Sequence, residues 1–324
     1  MTREERIARA KTAVADHKAA YYKNGEYRGA DFWDFAEIFE IIDDLYEVTG
    51  DKALFEQFEE MYGFIQRSYT DDWEKNPFND DIMWLVIALT RAYLFTGERK
   101  YLDTAKFNFD KTYARAWSDD LGGGLFWRIE NETKNTCVNC PGAVAASYLA
   151  EATGDDGYWD KAAACLAWTV DHLFEPDTGK VYDAMRVDGR VSKWSSTYNQ
   201  GTFIGSSLAL WRHTGEGKYL RYARAAMKYT MEDMYDLGVM DNEEPGNDLP
   251  GFKGILARYV RRFAEEAGEP DALAWLRMSA DIAYRNRNAK GIMWTQLGHR
   301  TEEKDDYDVF AVSAAVSVVV NAVG

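Results

Sequence analysis

Two consecutive carboxylates, Asp80 and Asp81, stand where the segment NPFNDDIMWLVIALTRAYLFTGE turns from polar to deeply apolar. On the rim of a buried helix, one carboxyl can ionise while its neighbour keeps a proton. The helix N-terminus favours an anion, whereas a like charge next door and aromatic burial favour the proton. Adjacent helical residues diverge by roughly 100°. Their flexible ends can still approach to about 5–5.5 Å, the separation at which a nucleophile and an acid/base cleave a glycosidic bond with retention. Asp80, nearer the free N–H groups, then reads as the nucleophile. Asp81, one residue further in and near Trp84, reads as acid, then base. The alternative is plain: one Asp caps the helix and the other is solvated. Other acidic pairs, Asp43-Asp44, Asp71-Asp72 and Asp119-Asp120, read as turns or outer faces.

The elements that must position this pair are set by a repeat. EVTGDKALF, LFTGERKYL, EATGDDGYW and RHTGEGKYL recur, with a degenerate fifth copy, EEAGEPDAL. Each Gly suits a helix C-cap and the acid beyond it suits the next helix N-terminus, so each copy reads as helix, tight turn, helix. The helices before the turns, Asp31–Val48, Asn79–Phe95, Val138–Ala152, Asn199–His213 and Gly251–Glu266, are apolar nearly all round and read as inner helices. Those after the turns begin near residues 51, 98, 156, 217 and 270 and carry one apolar stripe. An amphipathic Glu4–Tyr22 and an apolar Tyr307–Val323 complete the set. The expected fold is all-α: an (α/α)6 barrel, or toroid, of six inner and six outer helices, with residues 1–324 as a single domain.

The longer connections, Ser118–Cys137, Pro176–Tyr198, Met240–Pro250 and Asn288–Asp306, all precede inner helices and read as small hairpins around one mouth. Candidate ligand contacts there are Trp33, Asn79, Trp84, Trp127, Asn135, Asn139, Tyr198, Asn199, Gln200, Asp248, Phe252, Lys253 and Tyr307. Amides and acids match hydroxyl groups and rings stack on C–H faces, which is how proteins hold sugars. Singly, each acid could be an N-cap and each ring a core contact.

Composition excludes several classes. The formal net charge of −16 argues against nucleic acid and anionic membranes, which call for basic patches. No apolar run is long enough to span a bilayer. The opening MTREERIARAK has no apolar signal region, so a reducing cytoplasm is the expected location. Cys137 and Cys140 form a lone CxxC with no second pair at zinc spacing. No metal or cofactor is expected, and the expected partner is an oligosaccharide or polysaccharide.

Five stretches in order, Phe32-Trp33 with AEIFEIIDDLYEVTGD, NDDIMWLVIALTRAYLFTG, GGGLFWR, YNQGTFIGSSLALWRHTG and FKGILARYV, resemble glycoside hydrolase family 76, the α-1,6-mannanases and their fungal cell-wall relatives. KNTCVNCPGA at Lys134–Ala143 is similar to the family's lysine-asparagine segment, although the two cysteines and Pro141 depart from it. The resemblance implies an (α/α)6 barrel, retention of anomeric configuration, no redox cofactor and catalytic aspartates at Asp80 and Asp81. Sugar epimerases and unsaturated-uronide hydrolases share the toroid. Epimerases of this type use paired histidines, and of the four here, His17, His172, His213 and His299, only His299 falls near the mouth. A catalytically silent glycan-binding protein is the remaining alternative.

Overall fold

The computed structural model describes residues 1–324 except 242, 244, 245 and 247. Among the described residues the long elements are helices: α1 Arg3–Tyr21, α2 Phe32–Thr49, α3 Leu54–Tyr69, α4 Asn79–Thr96, α5 Arg99–Ala116, α6 Thr136–Thr153, α7 Gly157–Leu173, α8 Thr197–Thr214, α9 Gly217–Asp233, α10 Phe252–Ala267, α11 Pro270–Arg285 and α12 Val309–Asn321. They fall into two compact units, Met1–Ser68 with Thr230–Gly324, and Tyr69–Tyr229. In the first, α12 packs on α1, α2, α10 and α11; in the second, α4 packs on α5 and α6, and α6 on α7 and α8. Even-numbered helices are buried on nearly every face, as their all-round apolar sequences require.

The Thr-Gly turns show why those two residues recur. Gly50, Gly97, Gly154, Gly215 and Gly268 all take left-handed φ, between 67 and 76°, where a side chain is penalised. Except before Gly268, where Ala267 stands, the preceding residue is a Thr that bonds back to the carbonyl four residues earlier, as Thr96 does to Ala92 at 2.6 Å. Its hydroxyl also accepts the N–H two residues on, from Glu98 at 3.2 Å. One hydroxyl thus serves both sides of the turn.

Three expectations need correction. Asp43 and Asp44 lie neither on a turn nor on an outer face: they are fully buried in α2. There, Arg258 Nε meets Asp44 Oδ2 at 2.8 Å and Glu40 Oε2 at 3.1 Å, while its Nη1 meets Glu37 at 3.2 Å. Paired guanidinium charge is what lets Glu37, Glu40 and Asp44 stay inside. The last helix begins at Val309, because Asp308 caps it by accepting from Ala311 N at 2.9 Å. The connection from Asn288 to Asp306 contains no strand; turns pinned by Asn288 Oδ1, which accepts from the N–H groups of Lys290 and Ile292, replace the hairpin. The stretch from Met240 to Pro250 lies partly outside the described residues. No helix is long and apolar enough to cross a membrane among the described residues.

Candidate active site

Asp80 and Asp81 occupy the first turn of α4, and neighbouring polar residues fix each one differently. Residue 78, the N-cap, is a Phe with no side-chain cap bond, so the preceding turn supplies the donors and acceptors. Asn76 Oδ1 accepts from Phe78 N at 2.9 Å, and its Nδ2 donates to Asp81 Oδ2 at 3.1 Å. Arg115 on α5 locks that turn: Nη1 donates to Glu74 O at 2.6 Å, Nη2 to Asn76 O at 2.8 Å, and Nε to Asn79 Oδ1 at 2.7 Å.

Asp80 is held from the other side. Asn79 is spent on the protein: besides accepting from Arg115, its Nδ2 donates to Phe126 O at 2.9 Å and its backbone N–H to Trp127 O at 2.8 Å. That tether brings the Trp127 indole to Asp80, Nε1 donating to Oδ2 at 3.1 Å. Burial pushes the Asp80 carboxyl from 3.8 to about 7, against the Cys137 thiol, the backbone N–H groups of the helix start and the Trp127 indole, which favour the anion. None of these bonds Oδ1, which is buried without a hydrogen-bond partner. From the sequence, the helix N-terminus is expected to hold Asp80 as the anion; desolvation outweighs it instead. Asp81 is half-exposed. The thiol of Cys137 is itself pushed well above its ordinary value, by burial and then by Asp80.

The strand segment bearing Trp127 is fixed by amides and one lysine. Asn139 accepts from Leu125 N at 2.8 Å and donates to Leu125 O at 3.1 Å. A Cβ on Gly142 would stand 2.8 Å from the Leu125 side chain, so that position must stay bare. Lys134, fully buried, donates to the carbonyls of Ser118, Asp120 and Gly123 at 2.7, 2.6 and 2.6 Å. Gln200 is consumed likewise, by Val181 N at 2.7 Å, Gly179 O at 3.1 Å and Ala226 O at 3.0 Å. Trp84 is wholly buried, its Nε1 donating to Tyr198 Oη at 2.6 Å. Of the residues expected at the mouth, then, Asn79, Trp84, Trp127, Asn139, Tyr198 and Gln200 spend their polar groups on the protein itself, while Asn135 Oδ1 and Asn199 Nδ2 are buried without a hydrogen-bond partner.

The remaining expected contacts belong to the first unit. Trp33 and Tyr307 are buried, Trp33 edge-on to Phe310 and Phe252 at 4.5 and 5.9 Å. The Tyr307 hydroxyl accepts from Glu302 N at 2.8 Å. Lys253 is fully buried and donates to Thr295 Oγ1 at 2.6 Å; burial lowers it to about 8. Asp248 is raised by burial, then by the charges of Asp31 and Asp308. Burial, then the Asp31 charge, raises Asp34 to about 8. No group of three or more His, Cys, Asp or Glu side chains is arranged to hold a metal ion among the described residues.

Sequence reasoning missed Asn76 and Arg115, which fix the turn before α4, and Asp183, whose charge acts with that of Asp80 on the Cys137 thiol. Asn76 precedes Pro77, a turn dipeptide just ahead of the helix, and Asp183 interrupts an otherwise buried stretch. Those were the available signals. Arg115 had none, being one more cation on a charged helix.

Solved structures resemble the chain over nearly its whole length. It is 26% identical to an inactive variant, with two consecutive aspartates changed to asparagine, of the α-1,6-mannanase GH76A of Salegentibacter sp. HEL1_6 in complex with α-1,6-mannotriose. That likeness has a TM-score of 0.91 and covers 98% of this chain and 99% of the other. The unsubstituted mannanase gives 27% identity, a TM-score of 0.90 and 98% of each chain. A mannan endo-1,6-α-mannosidase of Candida glabrata is 28% identical over 270 residues, 76% of this chain and 56% of its own length. One of Saccharomyces cerevisiae is 29% identical over 233 residues, 64% of this chain and 51% of its own. The chain thus spans about half the length of the curated relatives it matches. The fold class is the expected (α/α)6. The family model for Glycosyl hydrolase family 76 matches residues 6–323, and the chain belongs to that family.

Proposed function

We propose that the chain is a glycoside hydrolase that cleaves α-1,6-linked mannosides with retention, through Asp80 and Asp81. The carrying observation is the unequal holding of the two carboxyls. Asp80 is buried with one oxygen bonded by Trp127 and the other left for a reacting atom. Asp81 is half-exposed and steadied by one amide. A nucleophile must be fixed and dry, whereas an acid/base must later reach water; that assigns Asp80 to attack and Asp81 to proton transfer. Burial keeps a proton on Asp80 below about 7, and Asp80 must release it before it can attack. In the first half-reaction the Asp80 carboxylate attacks the anomeric carbon as Asp81 protonates the leaving oxygen. In the second, Asp81 takes a proton from water, which releases the sugar from Asp80.

The likeness to an α-1,6-mannanase made inactive by changing consecutive aspartates supports this reading. Its test is incubation with α-1,6-mannotetraose, with products read by mass and the first-formed anomer read by NMR. Shorter mannosides with retained configuration are expected, and orders of magnitude less turnover from Asp80→Asn and Asp81→Asn. An inverted first product, or near-normal turnover in either variant, sinks it.

A further inference from the structure

One cavity reverses the charge of the rest of the chain. Between α1 and the segment that follows α11 lies a space of about 580 Å³, with Asp16, Arg285, Arg287, Lys290, Gly291 and Arg300 in its wall. The whole chain carries a net charge of −16, yet here the cations outnumber the single acid. Like charges gathered this way repel. Elsewhere acids relieve such charge, as Glu37, Glu40 and Asp44 do for Arg258. In this wall Lys290 has such a partner in Asp305. Arg285, Arg287 and Arg300 meet no carboxylate within 4.0 Å among the described residues.

Backbone carbonyls hold the three guanidinium groups instead. Arg285 Nε donates to Asp281 O at 3.2 Å, Arg300 Nη1 to Arg285 O at 3.2 Å, and Arg287 Nη1 to Tyr284 O. Arg287 also lies over the Tyr284 ring, 3.9 Å from its centroid. Those carbonyls end α11, where a cation suits the helix dipole. One guanidinium would serve that end; three leave most of their N–H groups unspent. Asp16 stands on the same wall, from α1. Gly291, with φ 81°, comes so close that a Cβ there would collide with the Asp16 carboxylate. Half-buried Asp16 accepts no hydrogen bond among the described residues. Burial raises its carboxyl, and the Arg287 charge acts against that rise.

We propose that this cavity binds a phosphorylated sugar, its phosphate oxygens accepting from Arg285, Arg287 and Arg300 and a neighbouring hydroxyl donating to Asp16. A phosphate monoester carries about −1.5 to −2 charges near pH 7 on three acceptor oxygens, enough to answer several cations at once. A planar carboxylate would satisfy a single guanidinium fork. Free phosphate would set an anion against Asp16, whereas a hydroxyl beside the phosphate gives that acid a donor. The wall belongs wholly to the first unit, and Asp80 and Asp81 to the second. The site therefore does not rest on the hydrolase reading.

The test is titration calorimetry of the full chain with mannose 6-phosphate and with inorganic phosphate at low salt. Mannose 6-phosphate should bind saturably, about 10-fold tighter than phosphate, and more weakly as salt is added. Arg287→Gln/Arg300→Gln should weaken both probes by about 10-fold or more, since each change removes a charge-assisted bond. A thermal melt like that of the unaltered chain shows the fold intact. Arg300→Gln alone, at an exposed residue, carries the comparison if the double variant does not fold. Asp16→Ala should tighten inorganic phosphate by removing a like charge and shrink the preference for the sugar phosphate. No saturable binding of mannose 6-phosphate, or binding that the arginine variants leave unchanged, overturns the site and leaves the guanidinium groups as caps of α11. Equal affinity for the two probes overturns the sugar's part and makes the ligand free phosphate.

Discussion

The Tyr198 hydroxyl donates to the backbone carbonyl of Cys137 at 2.7 Å, the carbonyl that Pro141, lacking an N–H, cannot serve within α6. The same oxygen accepts from Trp84 Nε1 at 2.6 Å. One phenol thus ties the starts of α6 and α8 to the second turn of α4, directly beneath Asp80 and Asp81 in sequence. Tyr198→Phe should cost about 2–3 kcal/mol, since it leaves a buried carbonyl and a buried indole N–H unpaired. In a Pro141→Ala background residue 141 regains its N–H and can bond Cys137 O, so the cost should shrink. Urea denaturation of the four proteins measures the coupling. Equal costs in both backgrounds would show that the carbonyl does not depend on Tyr198.

Trp127→Phe keeps a ring on the strand segment and removes the one indole donor to Asp80. That donor favours the anion, so the Asp80 carboxyl, already raised by burial to about 7, should rise further. The acid limb of the kcat/KM profile should therefore move to higher pH, because Asp80 attacks only when ionised, and kcat should fall about 10-fold as the carboxyl loses its fixed direction. A profile unmoved from that of the unaltered enzyme would mean the indole bond at 3.1 Å carries little weight.

What could be read in the sequence followed local rules. The Thr-Gly turns, the alternation of buried and half-buried helices and the place of Asp80 and Asp81 in a first helical turn need only propensity, capping and periodicity. The rest depended on partners distant in the chain. Asp44 looks like a surface acid until Arg258, 214 residues away, is seen to neutralise it. Asn79, Asn139 and Gln200 look like sugar-binding amides, and only the folded backbone shows that its own carbonyls and N–H groups already occupy them. The proton at Asp80 was misjudged for a similar reason. A helix N-terminus is visible in one sequence, whereas the depth of burial that outweighs it is not.

The turn between α4 and α5 tests the local rules separately. Gly97 has φ +76°, so Gly97→Ala should cost about 1–2 kcal/mol although nothing stands within 4 Å of the new Cβ. Thr96→Val removes a hydroxyl that donates to Ala92 O and accepts from Glu98 N. A loss of about 1 kcal/mol is expected. Thermal melts read both, and an Ala variant as stable as the Gly protein would show that the turn can relax out of the left-handed region.

The most exacting prediction sets activity against stability at Asp80. Burial raises its folded carboxyl from 3.8 to about 7. Between those values the native state holds a proton that the unfolded chain has released. Stability contributed by this group is therefore complete below about pH 4 and is lost as pH rises through about 7. Asp80→Asn keeps the shape, still offers an oxygen to the Trp127 indole and can never ionise. It should abolish turnover, yet gain stability over the unaltered chain by an amount near zero at pH 4 and on the order of 1–3 kcal/mol at pH 8. Asp81→Asn should move that pH dependence downward, because removing the neighbouring charge lets Asp80 ionise more easily. Chemical denaturation of the three proteins at pH 4.5, 6 and 8 supplies the comparison. A difference between Asp80→Asn and the unaltered chain that stays flat across this range would mean Asp80 is ionised throughout, and that its indole and helix N–H donors outweigh its burial after all.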